Sequence, residues 1–164
     1  MFSDALRDQA AALLEACRQR GWMLATAESC TGGLIAGLLT DIAGSSDVVD
    51  RGFVTYANEA KRDMLGVTDT LLDAQGAVSP QVAKAMAEGA IRHSRAQLSI
   101  AVTGIAGPGG GSKDKPVGLV HFASAMRDGD TTNEYHVFEG DRSAVRMATV
   151  KQALHILQAR AQQS

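Results

Sequence analysis

The chain has 164 residues, of which 45% are hydrophobic and 4% aromatic, and its formal net charge at pH 7 is −2. This length fits one domain that buries roughly 70% of the surface of its unfolded chain, and we expect residues 1–164 to form that single domain. The near-neutral charge and the absence of any apolar stretch of about 18 residues argue against nucleic acid and membranes as partners.

The first predicted element is a helix that begins at Ser3 or Asp4 and runs to about Arg20. Cys17 shares one face of this helix with four apolar residues and is expected in the core: Leu6, Ala10, Leu13 and Leu14. Cys17 and Cys30 have neither the number nor the spacing of a disulfide framework or a metal site. Because the N-terminus also carries no signal peptide pattern, we expect a cytoplasmic protein.

The segment from Thr26 to Gly33, TAESCTGG, lies between a strand pattern and a helix pattern. The apolar run 22–25 suits a buried strand, and leucine and isoleucine recur at helical spacing over 34–42. We therefore predict Ser29 at or near the N-terminus of that helix, where unpaired backbone N–H groups stabilise an oxyanion or a phosphate. The alternative is that Ser29 or Thr31 only caps the helix, which is the commoner use of an isolated serine at such a junction.

A second strand is predicted over Phe53–Tyr56, followed by a helix from Asn58, as its N-cap, to about Leu65. Lys61 then lies near the third position of that helix, where the helix dipole disfavours a positive charge. This environment should lower the pKa of the lysine, as a general base requires. The alternative is a solvated lysine paired with Glu59 or Asp63.

Ser29 and Lys61 both follow the ends of apolar strands. In an open α/β sheet such ends converge on one crevice, so the two residues are predicted to form a nucleophile and base pair. Cys30 is the alternative nucleophile. However, no histidine lies nearby in sequence to activate its thiol, and a packed cysteine is the more common role.

The rest of the chain completes the sheet and its covering helices. A long helix is predicted from Ser79-Pro80 to about Ser94, and a buried strand follows over Leu98–Thr103. Two more strands, Val117–Met126 and Tyr135–Phe138, have little helical sequence between them, so part of the sheet is predicted to be antiparallel. A final helix is predicted from about Asp141 to Ala161.

A glycine-rich stretch from Gly104 to Gly111 follows the predicted strand 98–103. It matches neither the P-loop nor the dinucleotide fingerprint, so use of ATP or NAD is not predicted. Glycine allows the backbone to approach a ligand closely, which favours a substrate wall. A flexible connection without function is the alternative.

Six short motifs occur in the order that characterises a known family: residues 27–33, 44–46, 51–61, 76–79, 102–110 and 115–118. On these motifs the chain resembles the CinA C-terminal domain family from about residue 5 to residue 160, without large gaps. The closest resemblance is to its stand-alone, PncC-type members, the nicotinamide-nucleotide amidohydrolases. The family also contains long proteins with an additional N-terminal domain, which we do not expect here.

The resemblance implies a three-layer α/β/α sandwich with a mixed sheet. It also implies hydrolysis of the carboxamide of nicotinamide mononucleotide (NMN) to nicotinate mononucleotide and ammonia, in pyridine nucleotide salvage, by a catalytic pair at Ser29 and Lys61. We expect no metal or other cofactor, because the chemistry uses an amine as base. The four histidines, at positions 93, 121, 136 and 155, also lack the spacing of metal ligands.

Backbone amides in two segments, 30–32 and 103–105, are candidates for binding the scissile amide or its oxyanion. The candidate substrate-binding residues are Cys30, Thr31, Gly32, Thr103, Gly104 and Ile105. Tyr56 is expected to hydrogen-bond Lys61 or to stack on the pyridine ring, and a buried structural tyrosine is an equal alternative.

The phosphate of the mononucleotide needs an anchor of its own. Arg142 and Arg146 are four residues apart on one face of the last predicted helix, beside the free amides of its start. We predict that they bind the phosphate. Solvated arginines on a capped helix are the alternative.

Two other functions are compatible with the same crevice. One is a non-catalytic regulatory module that binds a nucleotide or a sugar phosphate, and the other is an amidase for a different pyridine or ureido substrate. The expected partner is a small molecule, NMN, and we also expect a homo-oligomer, most simply a dimer.

Overall fold

The computed structural model describes residues 1–163. Within that range the chain forms the following helices and strands: α1 (Asp4–Gln19), β1 (Leu24–Glu28), α2 (Leu34–Thr40), β2 (Val49–Val54), α3 (Asn58–Leu65), α4 (Asp69–Gln75), α5 (Pro80–Arg92), β3 (Leu98–Gly104), β4 (Leu119–Met126), β5 (Thr131–Val137) and α6 (Arg142–Ala161). A single 3₁₀ turn at Ser45–Asp47 leads into β2.

The five strands form one sheet in the order β2-β1-β3-β4-β5. Strand β1 pairs in parallel with β2 and β3, whereas β4 and β5 add as antiparallel neighbours. Helices α1, α2 and α6 cover one face, and α3, α4 and α5 cover the other. The predicted three-layer α/β/α sandwich with a mixed sheet is therefore confirmed.

The core between the sheet and α5 is built from small side chains. Five alanines on three strands face this helix: Ala25, Ala27, Ala101, Ala123 and Ala125. Gly89 of α5 lies against Leu65 of α3, and a Cβ at position 89 would overlap the Leu65 carbonyl oxygen. This glycine lets α3 pack tightly against α5, which holds in place the helix that carries Lys61.

Helix ends with side-chain caps lie close to where the sequence predicts them. Ser3, Ser79 and Asp141 each accept a hydrogen bond from a backbone N–H three residues further on, at the starts of α1, α5 and α6. The N-cap of α3 is Ala57 and not Asn58, which places Lys61 at the fourth position of that helix.

Three strand predictions were wrong in position, and one of them is β5, which spans Thr131–Val137 and not 135–138. Strand β1 spans Leu24–Glu28 and not 22–25. Trp22 instead packs beneath the Arg20 guanidinium, whose Cζ lies 3.7 Å from the centroid of the indole ring. Strand β2 spans Val49–Val54 and not 53–56, because it is an edge strand whose polar residues hide the apolar pattern.

No helix in residues 1–163 is both long enough and apolar enough to cross a membrane. Cys17 and Cys30 are both free and buried, and Cys17 lies on the apolar face of α1 as predicted.

Candidate active site

The candidate site lies at the carboxyl ends of the three parallel strands. Ser29 directly follows β1, and its backbone N–H donates to the Val102 carbonyl of β3 at 3.1 Å. On the other side, the Glu28 carbonyl accepts from the Thr55 N–H at 2.9 Å. Ser29 is therefore held between two neighbouring strands at the point where the sheet opens.

A tight turn separates Ser29 from the helix that follows it. The Gly32 N–H donates to the Ser29 carbonyl at 3.1 Å, and α2 begins only at Leu34. Gly32 and Gly33 have φ angles of +58° and +103°, which other residues adopt only with strain. The prediction that Ser29 lies at the helix N-terminus is therefore corrected: a turn of five residues, the nucleophile turn Ser29–Gly33, comes first.

Glu28 occupies the start of α2. Its carboxylate, in a residue only 1% exposed, accepts from the Ile35 and Ala36 N–H groups at 2.9 and 3.0 Å and from the Thr31 hydroxyl at 2.6 Å. The Ile35 and Ala36 amides at the start of α2 are thus already paired, and the predicted Gly32 amide is used by the Ser29 carbonyl. Sequence reasoning missed this residue, although a carboxylate at the end of an apolar strand is a signal that could have revealed it.

Lys61 contacts Ser29 inside this site. Its Nζ lies 3.0 Å from the Ser29 Oγ and also donates to the carbonyl oxygens of Thr55, at 2.8 Å, and Tyr56, at 3.3 Å. Lys61 is 1% exposed, so the alternative of a solvated lysine is wrong. The structure brings together the two residues that the sequence paired.

Burial lowers the pKa of the Lys61 ammonium below its ordinary value, since the charged form loses its hydration. The contacts of Nζ suit the neutral amine. A neutral amine has two N–H bonds and one lone pair, which match two carbonyl acceptors and one hydroxyl donor. The same three contacts also fit an ammonium that donates to all three oxygens, and its deprotonation frees a lone pair for the Ser29 hydroxyl proton.

Cys30 lines the same cavity but has the wrong protonation state for a nucleophile. The residue is 6% exposed, and burial raises the pKa of its thiol to about 11. The thiol therefore stays protonated at neutral pH, whereas nucleophilic attack needs the thiolate.

The cavity at Ser29 has a volume of about 200 Å³. Its lining residues come from the ends of all three parallel strands, from α3, from the 76–78 segment and from the rim: Ser29, Cys30, Tyr56, Asn58, Lys61, Ala77, Val78, Thr103, Gly104, Ala106 and Arg142. A volume of this size holds a pyridine carboxamide but not a whole mononucleotide.

Tyr56 and Arg142 form the rim of the cavity. Tyr56 is 64% exposed, so the buried structural alternative is wrong, and it contacts Lys61 only through its backbone carbonyl. Arg142 donates to the Tyr56 phenol oxygen at 3.2 Å and to the Gly107 carbonyl at 2.8 Å. The arginine thereby joins the glycine-rich loop to the segment that precedes α3.

The three predicted residues at the end of β3 differ in their availability. Gly104 lines the cavity, and so does Thr103, whose hydroxyl donates to the Ala77 carbonyl at 2.8 Å. The Ile105 N–H donates to the Leu119 carbonyl at 2.9 Å. The prediction that the Ile105 amide faces the substrate is therefore wrong, because that donor continues the pairing with β4.

Arg146 does not line the cavity. Its Nε donates to the Cys30 carbonyl at 3.0 Å and its Nη2 to the Thr31 carbonyl at 3.1 Å. Four helical residues advance about 6 Å along the axis, so Arg142 reaches the rim while Arg146 lies one turn behind it. A second hollow of about 450 Å³ adjoins the cavity and shares Ala106 and Arg142 with it.

Within residues 1–163, the histidine, cysteine and carboxylate side chains form no group of three or more that could hold a metal ion. The expectation that the reaction uses no metal stays a prediction.

The sequence profile of the CinA C-terminal domain matches residues 6–161, almost the entire chain. The chain belongs to the CinA C-terminal domain family. This confirms the family resemblance that the six motifs indicate.

Relatives within the CinA C-terminal domain family fall into two lengths. The nicotinamide-nucleotide amidohydrolases PncC of Enterobacter agglomerans and Escherichia coli K12 are 52% and 50% identical to the chain over 132 and 143 residues, or 80% and 87% of each partner. A CinA-like protein of Syntrophobacter fumaroxidans is 52% identical over 143 residues, but the match spans only 34% of that protein.

Solved structures of CinA proteins have the same fold. The competence/damage inducible protein CihA of Agrobacterium tumefaciens superimposes with a TM-score of 0.95 at 53% identity, over 99% of both chains. A competence damage-inducible protein A of Klebsiella pneumoniae superimposes with a TM-score of 0.91 at 38% identity.

Proposed function

We propose that this protein is a nicotinamide-nucleotide amidohydrolase that converts NMN to nicotinate mononucleotide and ammonia, in cytoplasmic salvage of pyridine nucleotides. The observation that carries the proposal is the contact between the Lys61 Nζ and the Ser29 Oγ, 3.0 Å apart in a buried pair. The relatives from Enterobacter agglomerans and Escherichia coli bear the name of this activity and align over most of the chain.

In the first half of the reaction, neutral Lys61 takes the proton of the Ser29 hydroxyl while the Oγ attacks the carboxamide carbon. The resulting tetrahedral intermediate carries an oxyanion. When it collapses, the C–N bond breaks and the Lys61 ammonium returns its proton to the departing nitrogen, so ammonia leaves. The product of this half is a nicotinoyl ester on Ser29.

Water completes the cycle. Lys61 is neutral again after ammonia has left, and it takes a proton from a water molecule that attacks the ester carbonyl carbon. The second tetrahedral intermediate collapses with cleavage of the ester C–O bond, and Ser29 regains its proton from Lys61. Nicotinate mononucleotide is released.

The oxyanion needs donors that no protein group already uses. Glu28 pairs the first amides of α2. The N–H groups of Cys30 and Thr31 donate to no other residue of the described chain, 1–163. We assign them to the oxyanion, since they lie next to the nucleophile.

Arg142 is the anchor that we propose for the substrate phosphate. It stands between the cavity at Ser29 and the adjoining hollow of about 450 Å³, so a pyridine ring in the former directs the ribose phosphate toward the latter. Arg146 has no part in this anchor, because its donors are directed at the nucleophile turn.

The decisive experiment measures ammonia and nicotinate mononucleotide released from NMN by the purified chain, with Ser29→Ala as the matched control. We expect turnover in the wild type and none in the variant. A wild type that binds NMN without releasing ammonia would contradict the proposal and favour a non-catalytic binding module. Release of ammonia only from another pyridine or ureido amide would retain the chemistry and change the substrate.

A further inference from the structure

The nucleophile turn Ser29–Gly33 is held from outside the catalytic pair. Its carbonyl groups at Cys30 and Thr31 are bound by one guanidinium, that of Arg146, at 3.0 and 3.1 Å. Arg146 lies 116 and 115 residues away along the chain, on the second turn of α6. A bidentate contact of this kind restrains both the position and the rotation of the peptide units that it binds.

Peptide geometry transmits this restraint to the N–H groups. In a planar trans peptide the C=O of one residue and the N–H of the next point in opposite directions. Arg146 holds the Cys30 carbonyl, so the Thr31 N–H of the same peptide is directed away from the guanidinium. The positive charge of the guanidinium beside the carbonyl oxygen also polarises the peptide and strengthens its N–H as a donor.

The other hydrogen bonds of the turn leave the Cys30 carbonyl to Arg146 alone. The Ser29 carbonyl accepts from the Gly32 N–H, and the Thr31 hydroxyl donates to Glu28. The Thr31 carbonyl also accepts from the Leu34 N–H at 3.1 Å, whereas Arg146 is the only donor to the Cys30 carbonyl in residues 1–163. Because Gly32 and Gly33 follow with positive φ, the turn depends on outside contacts for its rigidity.

We infer that Arg146 is a positioning residue, which orients the Cys30–Thr31 peptide so that its N–H binds the oxyanion formed at Ser29. This inference rests on the proposed function. It differs from the phosphate role that the sequence suggested, since Arg146 acts on the turn and touches no substrate.

The test compares Arg146→Gln and Arg146→Lys with Lys151→Gln, a matched control at an exposed position of the same helix. We expect kcat for NMN to fall about 10- to 100-fold in Arg146→Gln, less than for outright loss of an oxyanion donor. The fall should be smaller in Arg146→Lys, whose single ammonium replaces only one of the two contacts. KM should change less than about threefold, because transition-state contacts act on kcat.

Two further readouts separate positioning from general structural damage. The pKa of the acidic limb of kcat/KM should match the wild type, because the contacts of Lys61 are untouched. Labelling of Ser29 by a fluorophosphonate should slow in parallel with kcat. In that reaction the Oγ–P bond forms, fluoride leaves, Lys61 takes the serine proton, and the phosphoryl oxygen occupies the oxyanion site.

A kcat within twofold of wild type in folded Arg146→Gln would overturn the inference. So would a loss confined to KM for NMN and absent with nicotinamide riboside, since that result assigns Arg146 to the phosphate. Failure of both Arg146 variants to fold would assign the residue to stability instead. If the wild type were labelled at Ser29 but inactive on NMN, the proposed substrate would fail while labelling rates still tested Arg146.

Discussion

Glu28 and Lys61 are both ionisable and both 1% exposed, and the side chain of each ends at the start of a helix, yet their surroundings differ. Glu28 accepts from two helix amides and a hydroxyl, so the positive end of α2 meets a negative charge. Lys61 lies in α3, where the dipole opposes a positive charge, and burial lowers its pKa. Glu28 thus stabilises the start of α2, and Lys61 is the residue that we propose for proton transfer.

The largest expected effect is on kcat, when Lys61 or its partner Ser29 is replaced. Ser29→Ala or Lys61→Ala should each lower kcat for NMN by about 10³-fold or more, because either change removes half of the unit that makes the nucleophile. Ammonia release measures the loss, and circular dichroism checks that both variants are folded. Near-normal turnover in either folded variant would contradict the assigned roles.

The substitution Glu28→Gln tests the contribution of Glu28 to stability. An amide offers one oxygen acceptor where the carboxylate offers two, and its NH₂ group would face a backbone donor, so we expect a loss of about 2–4 kcal/mol in the free energy of unfolding. Urea denaturation measures it. Glu15→Gln, in an exposed pair with Arg18, should cost less than about 1 kcal/mol. Equal losses in the two variants would remove the special role of Glu28.

A smaller effect is expected at the rim. Arg142→Ala should weaken transition-state binding of NMN by about 1.5–3 kcal/mol, as for loss of a charge-assisted contact, while affecting nicotinamide riboside little. The comparison of kcat/KM for the two substrates measures the difference. A variant that retained the wild-type preference for NMN would place the phosphate anchor elsewhere, for instance on Lys113 or Lys115.

The pH dependence of stability tests the environment of Lys61. The lowered pKa means that, between it and the ordinary lysine pKa, the unfolded chain binds a proton that the folded chain does not. The free energy of unfolding of the wild type, relative to Lys61→Met, should therefore rise with pH across that window. A flat difference between the two proteins would show that the lysine pKa is not lowered.

The same titration should control catalysis. If neutral Lys61 is the base, as we propose, kcat/KM should decline as the pH falls through the lowered pKa, which lies below that of an ordinary lysine. A pH–rate profile measures this limb. An acidic limb at the ordinary lysine pKa would contradict the environment described for Nζ.

The smallest effect is expected at Cys30. Burial keeps its thiol protonated, so Cys30→Ala should retain kcat within a few-fold of the wild type. The backbone N–H at this position is unchanged by the substitution. If Cys30→Ala were inactive and Ser29→Ala active, the nucleophile would be the thiol.

The pairing of Ser29 with Lys61 was predictable because both residues follow strand ends, and parallel strands bring those ends together. The boundaries of β1 and β2 were less predictable. Their apolar patterns are interrupted by Thr26 and Glu28, which are buried and paired, and by the polar residues of an edge strand. Periodicity reports burial only when polar residues are exposed.

Arg142 and Arg146 show most clearly what sequence spacing cannot predict. Their spacing predicts that both bind the phosphate. Spacing places them on one helix face, but the position of that face relative to the site depends on how α6 packs against the sheet. Only the first arginine reaches the cavity. Similarly, nothing local to Ile105 reveals that its N–H pairs with Leu119.

The sequence by itself determined the family motifs, the capped starts of α1, α5 and α6, and the residue types of the catalytic pair. These depend on local rules such as capping and periodicity, which act over a few residues. Only the tertiary structure decided which amides are free, which arginine lines the cavity and that Glu28 occupies the start of α2. Hydrogen-bond partners in a buried site are allotted among distant segments, and a donor is available to substrate only if no other segment has taken it.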